Sequence, residues 1–215
     1  MRLLDLLFPP KCVLCCKILE PKQQDLCPDC MQVPEEFHPG KKQISFVAHW
    51  TALWYYKGSV RDSLLRYKFQ RRVSYVRTYC RFLSAHLIRE EMTNVDLVSW
   101  IPISRQRLRR RGYDQAKLLA KAVAKELGLP CYRTLRKFRH TPAQSTLADA
   151  SRRKANVLGA YKPKNPHKWA GKRILLFDDI VTTGATASEC ARTLLTAGAK
   201  EISLAAVAAT SYDKR

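Results

Sequence analysis

Ile174-Leu175-Leu176-Phe177-Asp178-Asp179-Ile180-Val181-Thr182-Thr183-Gly184-Ala185-Thr186 is the stretch that decides the fold. Its first four residues are continuously apolar, the pattern of a strand buried on both faces. Two carboxylates stand next, a small hydroxyl-rich turn follows, and Ala185 to Leu195 carries helical spacing. In an open parallel sheet, ligands bind at the carboxyl ends of the strands. The backbone N–H groups of Thr182, Thr183, Gly184, Ala185 and Thr186, with the three hydroxyls, suit a monophosphate at a helix N-terminus, where unsatisfied donors and the dipole favour an anion. Gly184 lets the backbone approach closely or take positive φ. Ionised Asp178 and Asp179 only accept hydrogen bonds, so they fit the hydroxyls of a sugar diol rather than a phosphate. A diol beside a 5′-phosphate is a ribose phosphate. The competing reading is a strand-to-helix turn with Asp as a cap.

Outward from this stretch, strands and helices alternate. Ile44 to Tyr56 reads as a strand or hairpin, and Val60 to Arg72 and Tyr75 to Glu91 as amphipathic helices. Asp96 to Ile103 is a strand, and Tyr113 to Leu127 a helix stopped by Gly128 and Pro130. Cys131 to Leu135 begins a strand that runs into a basic loop. Ala148 to Asn156 reads as helical, Tyr161 to Lys172 as a basic, Pro-containing turn, and Ile202 to Ala209 as a last buried strand. The expected class is α/β, a Rossmann-like, doubly wound parallel sheet. The expected organisation is a cysteine module over residues 1–43 and a main domain over residues 44–215.

Cys12, Cys15, Cys27 and Cys30 form two C-x-x-C knuckles separated by eleven residues. Four thiolates favour a structural, tetrahedral Zn²⁺. Cys16 stands where a small residue is usual, and it competes with Cys15 as ligand. Disulfides are the alternative. However, the opening Met-Arg-Leu-Leu-Asp-Leu-Leu-Phe-Pro-Pro is short and interrupted by Asp5, which argues against a signal peptide. No run approaches the ~20 apolar residues of a membrane span. The expectation is a cytoplasmic protein without membrane insertion, where reduced thiols bind zinc.

Thirty-nine basic residues against eighteen acidic give a formal charge of +21, which attracts polyanions. Three segments concentrate that charge. Arg105, Arg107, Arg109, Arg110 and Arg111 fall within seven positions, and arginine pairs bidentately with phosphate and stacks on bases. Lys57, Arg61, Arg66, Lys68, Arg71 and Arg72 are interleaved with Tyr55, Tyr56, Tyr67 and Phe69, a mixture suited to single strands; the alternative is that much of this aromatic content is core. Arg136, Lys137 and Arg139 lie in the loop from Leu135 to Gln144. Lys68, Arg71, Arg72, Arg107, Arg109, Arg110, Arg111, Arg136, Lys137 and Arg139 are the candidate nucleic-acid contacts. A solvated basic surface is the alternative.

The run at 174–186 resembles the ribose-phosphate loop of type I phosphoribosyltransferases, which bind phosphoribosyl pyrophosphate (PRPP) on a Rossmann-like sheet. The resemblance implies that Asp178 and Asp179 hold the ribose hydroxyls and that Thr182 to Thr186 hold the 5′-phosphate. It further implies that a loop at Ser104 and Arg105 binds pyrophosphate, that Mg²⁺ accompanies PRPP, and that Leu135 to Gln144 is a mobile active-site loop. Thr182 stands where 6-oxopurine enzymes carry a catalytic aspartate, so a purine-salvage role is disfavoured.

Across nearly the whole length, five features occur in one order: the Cys₄ knuckles, Lys68-Phe69, Arg110-Arg111-Gly112-Tyr113-Asp114-Gln115-Ala116, Thr141-Pro142-Ala143-Gln144 and the ribose-phosphate loop. This order is similar to that of the ComF family, phosphoribosyltransferase-like proteins associated with natural transformation; Asp114 replaces the usual Asn. The resemblance implies handling of incoming single-stranded DNA beside an ATP-driven DNA translocase at the inner face of the membrane. The alternative it leaves open is an active transferase using Mg²⁺–PRPP with an unidentified acceptor.

Overall fold

A computed structural model describes residues 9–40, 42–139 and 156–211. Four parallel strands form its central sheet: β1 (His49–Tyr55), β2 (Leu97–Trp100), β5 (Arg173–Val181) and β6 (Glu201–Ala209), in the order β1-β6-β5-β2. The alternation seen in sequence becomes layering. Leu175 and Phe177 of β5 point to one face, among Val98, Trp100, Ala205 and Val207. Ile174 and Leu176 point to the other, among Leu97, Ile202, Leu204 and Ala206. A strand buried on both faces reads as a continuous apolar run for this reason.

Helices α2 (Gly58–Phe69), α3 (Tyr75–Arg89) and α5 (Gln115–Glu126) cover the first face, and α6 (Ala185–Thr196) covers the second. Gly128 turns the chain away from α5 with φ +67°, and residues 130–132 extend the sheet edge by a parallel bridge between Val98 and Cys131. Short helix α1 (Pro28–Met31) belongs to the cysteine module. That module is not set apart from the rest. Cys12, Val13, Leu14, Cys27 and Cys30 share one apolar core with Leu64, Tyr67 and Tyr79. Arg66 of α2 donates to the carbonyls of Val13 and Leu14, and the Ser63 hydroxyl donates to Val13 at 2.6 Å.

Several expectations need adjustment. The 44–56 strand begins only at His49, and α2 stops at Phe69, because Arg71 takes a left-handed φ of +55°. The arginine run Arg105 to Arg111 is a helix, α4, with Ser104 of the expected pyrophosphate loop as its cap. Leu135–Lys137 (β3) is paired antiparallel with Tyr161–Pro163 (β4), so the start of the presumed loop and the start of the presumed basic turn form one ribbon. The Thr141–Gln144 segment and nearly all of the 148–156 helix lie outside the described residues.

Candidate functional site

The carboxyl end of β5 opens into a cavity of about 530 Å³. Asp178 and Asp179 stand at its floor. The Asp178 carboxylate accepts the Asp179 backbone N–H at 2.8 Å. Burial, and then the adjacent Asp179 carboxylate, push the Asp178 acid well above the usual carboxylate range, with Lys68 opposing. Lys68 Nζ pairs with Asp179 Oδ2 at 3.0 Å, and both side chains are largely shielded. Lys68, read from sequence as a nucleic-acid contact, is thus placed in the acidic site.

Two motifs that are remote in sequence converge to hold Lys68 there. Gly112 takes φ +84° and ends α4, and Asp114 caps α5 through the Lys117 N–H at 3.1 Å while also accepting the Ile103 N–H. The intervening Tyr113 donates its hydroxyl to the Tyr67 carbonyl, and the Gln115 amide donates to the Lys68 carbonyl. The Tyr67 hydroxyl returns a bond to the Gln115 carbonyl at 3.0 Å. Tyr67 is fully buried, so it is a core residue and no stacking platform.

Thr182 to Thr186 wrap the turn between β5 and α6 and line the cavity. Gly184 is the N-cap of α6 with φ +78°. A Cβ at this position would lie 3.0 Å from Ile44 Cγ1, so both the conformation and the space demand glycine. The first-turn N–H groups of α6 lack intrahelical acceptors; one, Ala185, meets the Thr183 hydroxyl at 3.4 Å. Sequence reasoning missed Lys42, whose Nζ donates to the Thr182 carbonyl at 3.1 Å; burial lowers that ammonium to about 8. Only the fold brings residues 42 and 182 together.

The cationic wall differs from the expectation. Arg107, Arg110 and Arg111 border the acidic cavity, whereas Ser104 and Arg105 line a neighbouring groove together with Arg109 and Arg136. Ser104 is buried, and its hydroxyl accepts the Arg107 N–H to start α4. The residues expected at pyrophosphate and part of those expected at nucleic acid therefore line different cavities, because α4 turns Arg105 and Arg107 to opposite sides. Lys137 reaches both cavities and packs over the Tyr161 ring at 5.1 Å. Burial, reinforced by Arg107, lowers its ammonium to about 8. Arg111 lies over Phe69 at 5.0 Å. Arg139 donates to the Leu158 carbonyl at 2.8 Å, and Arg71 and Arg72 sit exposed just past α2.

The sulfurs of Cys12, Cys15, Cys27 and Cys30 all lie within 4.8 Å of one another. Around a tetrahedral zinc with Zn–S near 2.3 Å, the S···S edges would be about 3.8 Å; Cys15 and Cys27 stand 3.6 Å apart. Cys16 instead approaches the Tyr75 hydroxyl, with φ +67°. At Cys12 the rise due to burial is outweighed by backbone hydrogen bonds from Cys15, Cys27 and Leu14, and the thiol falls to about 7. Burial and the facing cysteines push Cys30 up. Such crowded thiols cannot all ionise without a cation, so the donor set fits a metal ion.

Among the described residues, no helix is long and apolar enough to cross a membrane. Residues 114–215 match the phosphoribosyl transferase domain family. Over most of its length the chain is similar to three relatives. It is 25% identical to Competence protein F of Haemophilus influenzae, over 91% of this chain and 95% of that one. It is 29% identical to Competence protein ComFC of Streptococcus pneumoniae, over 89% and 84%. It is 27% identical to DNA utilization protein YhgH of Escherichia coli, over 82% and 74%.

Proposed function

We propose, from the premise that this chain belongs to the ComF family of phosphoribosyltransferase-like proteins, that it handles single-stranded DNA during DNA uptake and carries a pocket for PRPP or a related ribose phosphate. One observation carries the pocket reading. Asp178 and Asp179, the glycine-turned N-terminus of α6 and three arginines of α4 share one cavity of about 530 Å³. Carboxylates accept from a ribose diol, the helix N-terminus takes the 5′-phosphate, and Arg107, Arg110 and Lys137 face the pyrophosphate. This reading moves pyrophosphate recognition from Ser104 and Arg105 to the arginines on the other side of α4.

The oxygen donors of Asp178 and Asp179 suit a hard cation, and Mg²⁺ held there with PRPP would neutralise charge on the diphosphate. Lys68 already neutralises part of that acidic charge, so ligand entry exchanges its pairing with Asp179 for hydroxyl donors. The four cysteines hold structural Zn²⁺ in this reading. The DNA role draws on the names of the similar proteins and on the formal charge of +21. It places the protein in the cytoplasm, beside an ATP-driven translocase. A second reading, an active transferase, is favoured by the intact acidic pair and by Lys137 at the mouth of the cavity.

Calorimetric titration with Mg²⁺–PRPP tests the pocket. Asp178→Ala combined with Asp179→Ala is expected to abolish binding while circular dichroism stays native; unchanged affinity overturns the assignment. Fluorescence anisotropy of a labelled single strand, at about 150–200 mM salt where nonspecific binding has weakened, tests the DNA role. Weak binding that duplex competes away equally would remove it and direct attention to pyrophosphate release.

A further inference from the structure

Beside the acidic pocket, across α4, lies a larger groove of about 1260 Å³. It exceeds the ~300–1,000 Å³ usual for small-molecule pockets. Seven of its lining side chains are Lys or Arg, and its one carboxylate, Asp114, is buried and engaged as the α5 cap. Among the described residues, no carboxylate pairs with Arg105, Arg109 or Arg136. Helical spacing separates the two cavities. Arg105 and Arg109, four residues apart, share a face with Leu108 toward the groove, while Arg107, Arg110 and Arg111 face the pocket.

The opposite wall is the β3–β4 ribbon and the chain leading to it, which bring Arg133, Arg136 and Lys164. Phe138 stands at its lip, 64% exposed, with Lys162 Nζ 4.1 Å from its ring centroid. An exposed aromatic ring beside cations suits bases that stack while phosphates follow the cations. Leu108, 42% exposed, adds an apolar floor.

We propose that this groove is the track for single-stranded DNA, separate from the ribose-phosphate pocket and divided from it by α4. The proposal rests on the DNA-handling reading and assigns that reading a site. Cations spread along two facing walls fit a polymer backbone, whereas a small phosphate would call for a closed cradle. Lined by α4 and the ribbon, the groove offers an apolar surface to unpaired bases, which a duplex keeps inside its stack.

The test is anisotropy of a labelled single strand against a salt series, using the full chain. With wild type, tight binding that prefers single strands is expected. Arg109→Ala, Arg133→Ala and Arg136→Ala together are expected to weaken it at least tenfold and to reduce the slope of log K against log salt by about 2, at ~0.7 per phosphate contact. Phe138→Ala is expected to lose about fivefold to a hundredfold, the range for one stacked base. Lys172→Ala with Lys200→Ala, exposed at the opposite end of the sheet and outside both cavities, serves as a charge control and is expected to change affinity less than twofold. Mg²⁺–PRPP affinity reports whether each variant still folds, since none of the four groove residues changed belongs to the pocket except through the shared helix. If wild type binds and the groove variants bind equally well, or the control loses as much, the groove assignment is overturned while the DNA role stands. If wild type fails to bind single strands, both fall.

Discussion

Gly184→Ala should damage the protein twice over, by two separable routes. The first is conformational: at φ +78°, an L-residue in the left-handed region costs about 1–2 kcal/mol. The second is steric. The added methyl would sit 3.0 Å from Ile44 Cγ1 and 3.1 Å from Cδ1, and Ile44 is buried, leaving it little room to give. Overpacking of this kind costs about 1–3 kcal/mol. The sum, about 2–5 kcal/mol, at about 2–4 °C per kcal/mol for a chain of this size, lowers Tm by about 4–20 °C. A cycle with Ile44→Ala separates the routes. Ile44→Ala is itself destabilising, but in its background Gly184→Ala should cost only the conformational part, giving a coupling of about 1–3 kcal/mol. Thermal unfolding measures all four proteins, and calorimetry reads PRPP binding in those that fold. If Gly184→Ala shifts Tm by less than a degree, or the two substitutions are additive, the account of this turn is wrong.

Three further outcomes follow from the site. Because the Lys137 ammonium is lowered to about 8 in the free protein, a phosphate arriving beside it raises that value, so binding takes up a proton near pH 8 and weakens as pH rises above it. Calorimetry in buffers of different ionisation enthalpy should show the uptake, and Lys137→Met should erase it; identical uptake in the variant refutes the assignment. Asp178 is raised above its unfolded value, so its contribution to stability is present in acid and lost as pH rises through the folded value. Asp178→Asn should accordingly raise Tm at pH 8 and lose that advantage near pH 4, about where the unfolded carboxyl titrates; a variant less stable at pH 8 contradicts this. Metal analysis of anaerobically prepared protein should find one zinc per chain, lost with Cys15→Ser and kept with Cys16→Ser, since Cys15 belongs to the sulfur cluster and Cys16 faces Tyr75. Finding no zinc would remove the site.

The parts of this molecule legible in sequence are those whose physics is local or periodic. Leu175 and Phe177 alternate with Ile174 and Leu176 across a sheet buried on both faces, so a continuous apolar run was enough to read β5. The knuckle spacing of Cys12, Cys15, Cys27 and Cys30 reflects one ion-sized turn each, and their sulfurs meet as expected. The acidic pair and Thr turn stand in one cavity because strand, turn and helix are contiguous. The arginine run was opaque for the opposite reason. With a single apolar residue, Leu108, it carries no period from which to phase a helix, so the sides of Arg105 and Arg107 could not be told apart. Tyr67 reads from sequence as either a base-stacking ring or core, because composition does not say which aromatics face inward; burial settles it as core. Lys42 near Thr182, and Leu135 paired with Pro163, are tertiary meetings for which nothing in the neighbouring residues gives a signal.

The strand order carries a consequence for how this molecule comes into being. Among the described residues, β6 follows every other strand yet lies between β1 and β5, the two sheet partners it joins. As the chain emerges during synthesis, β1 has only the short antiparallel bridge from residues 35–37 to pair with, and Lys68 has no settled Asp179 to meet, until β6 arrives. Pairings this distant in sequence make folding slow, because loop closure precedes any gain. Before β6 closes the sheet, the half bearing the cysteines and the half bearing the acidic pair meet through helix packing, α3 against α5, and through Tyr113 and Gln115 on Tyr67 and Lys68. In that interval the edge of β1 that β6 later covers stands open, a template for wrong pairing.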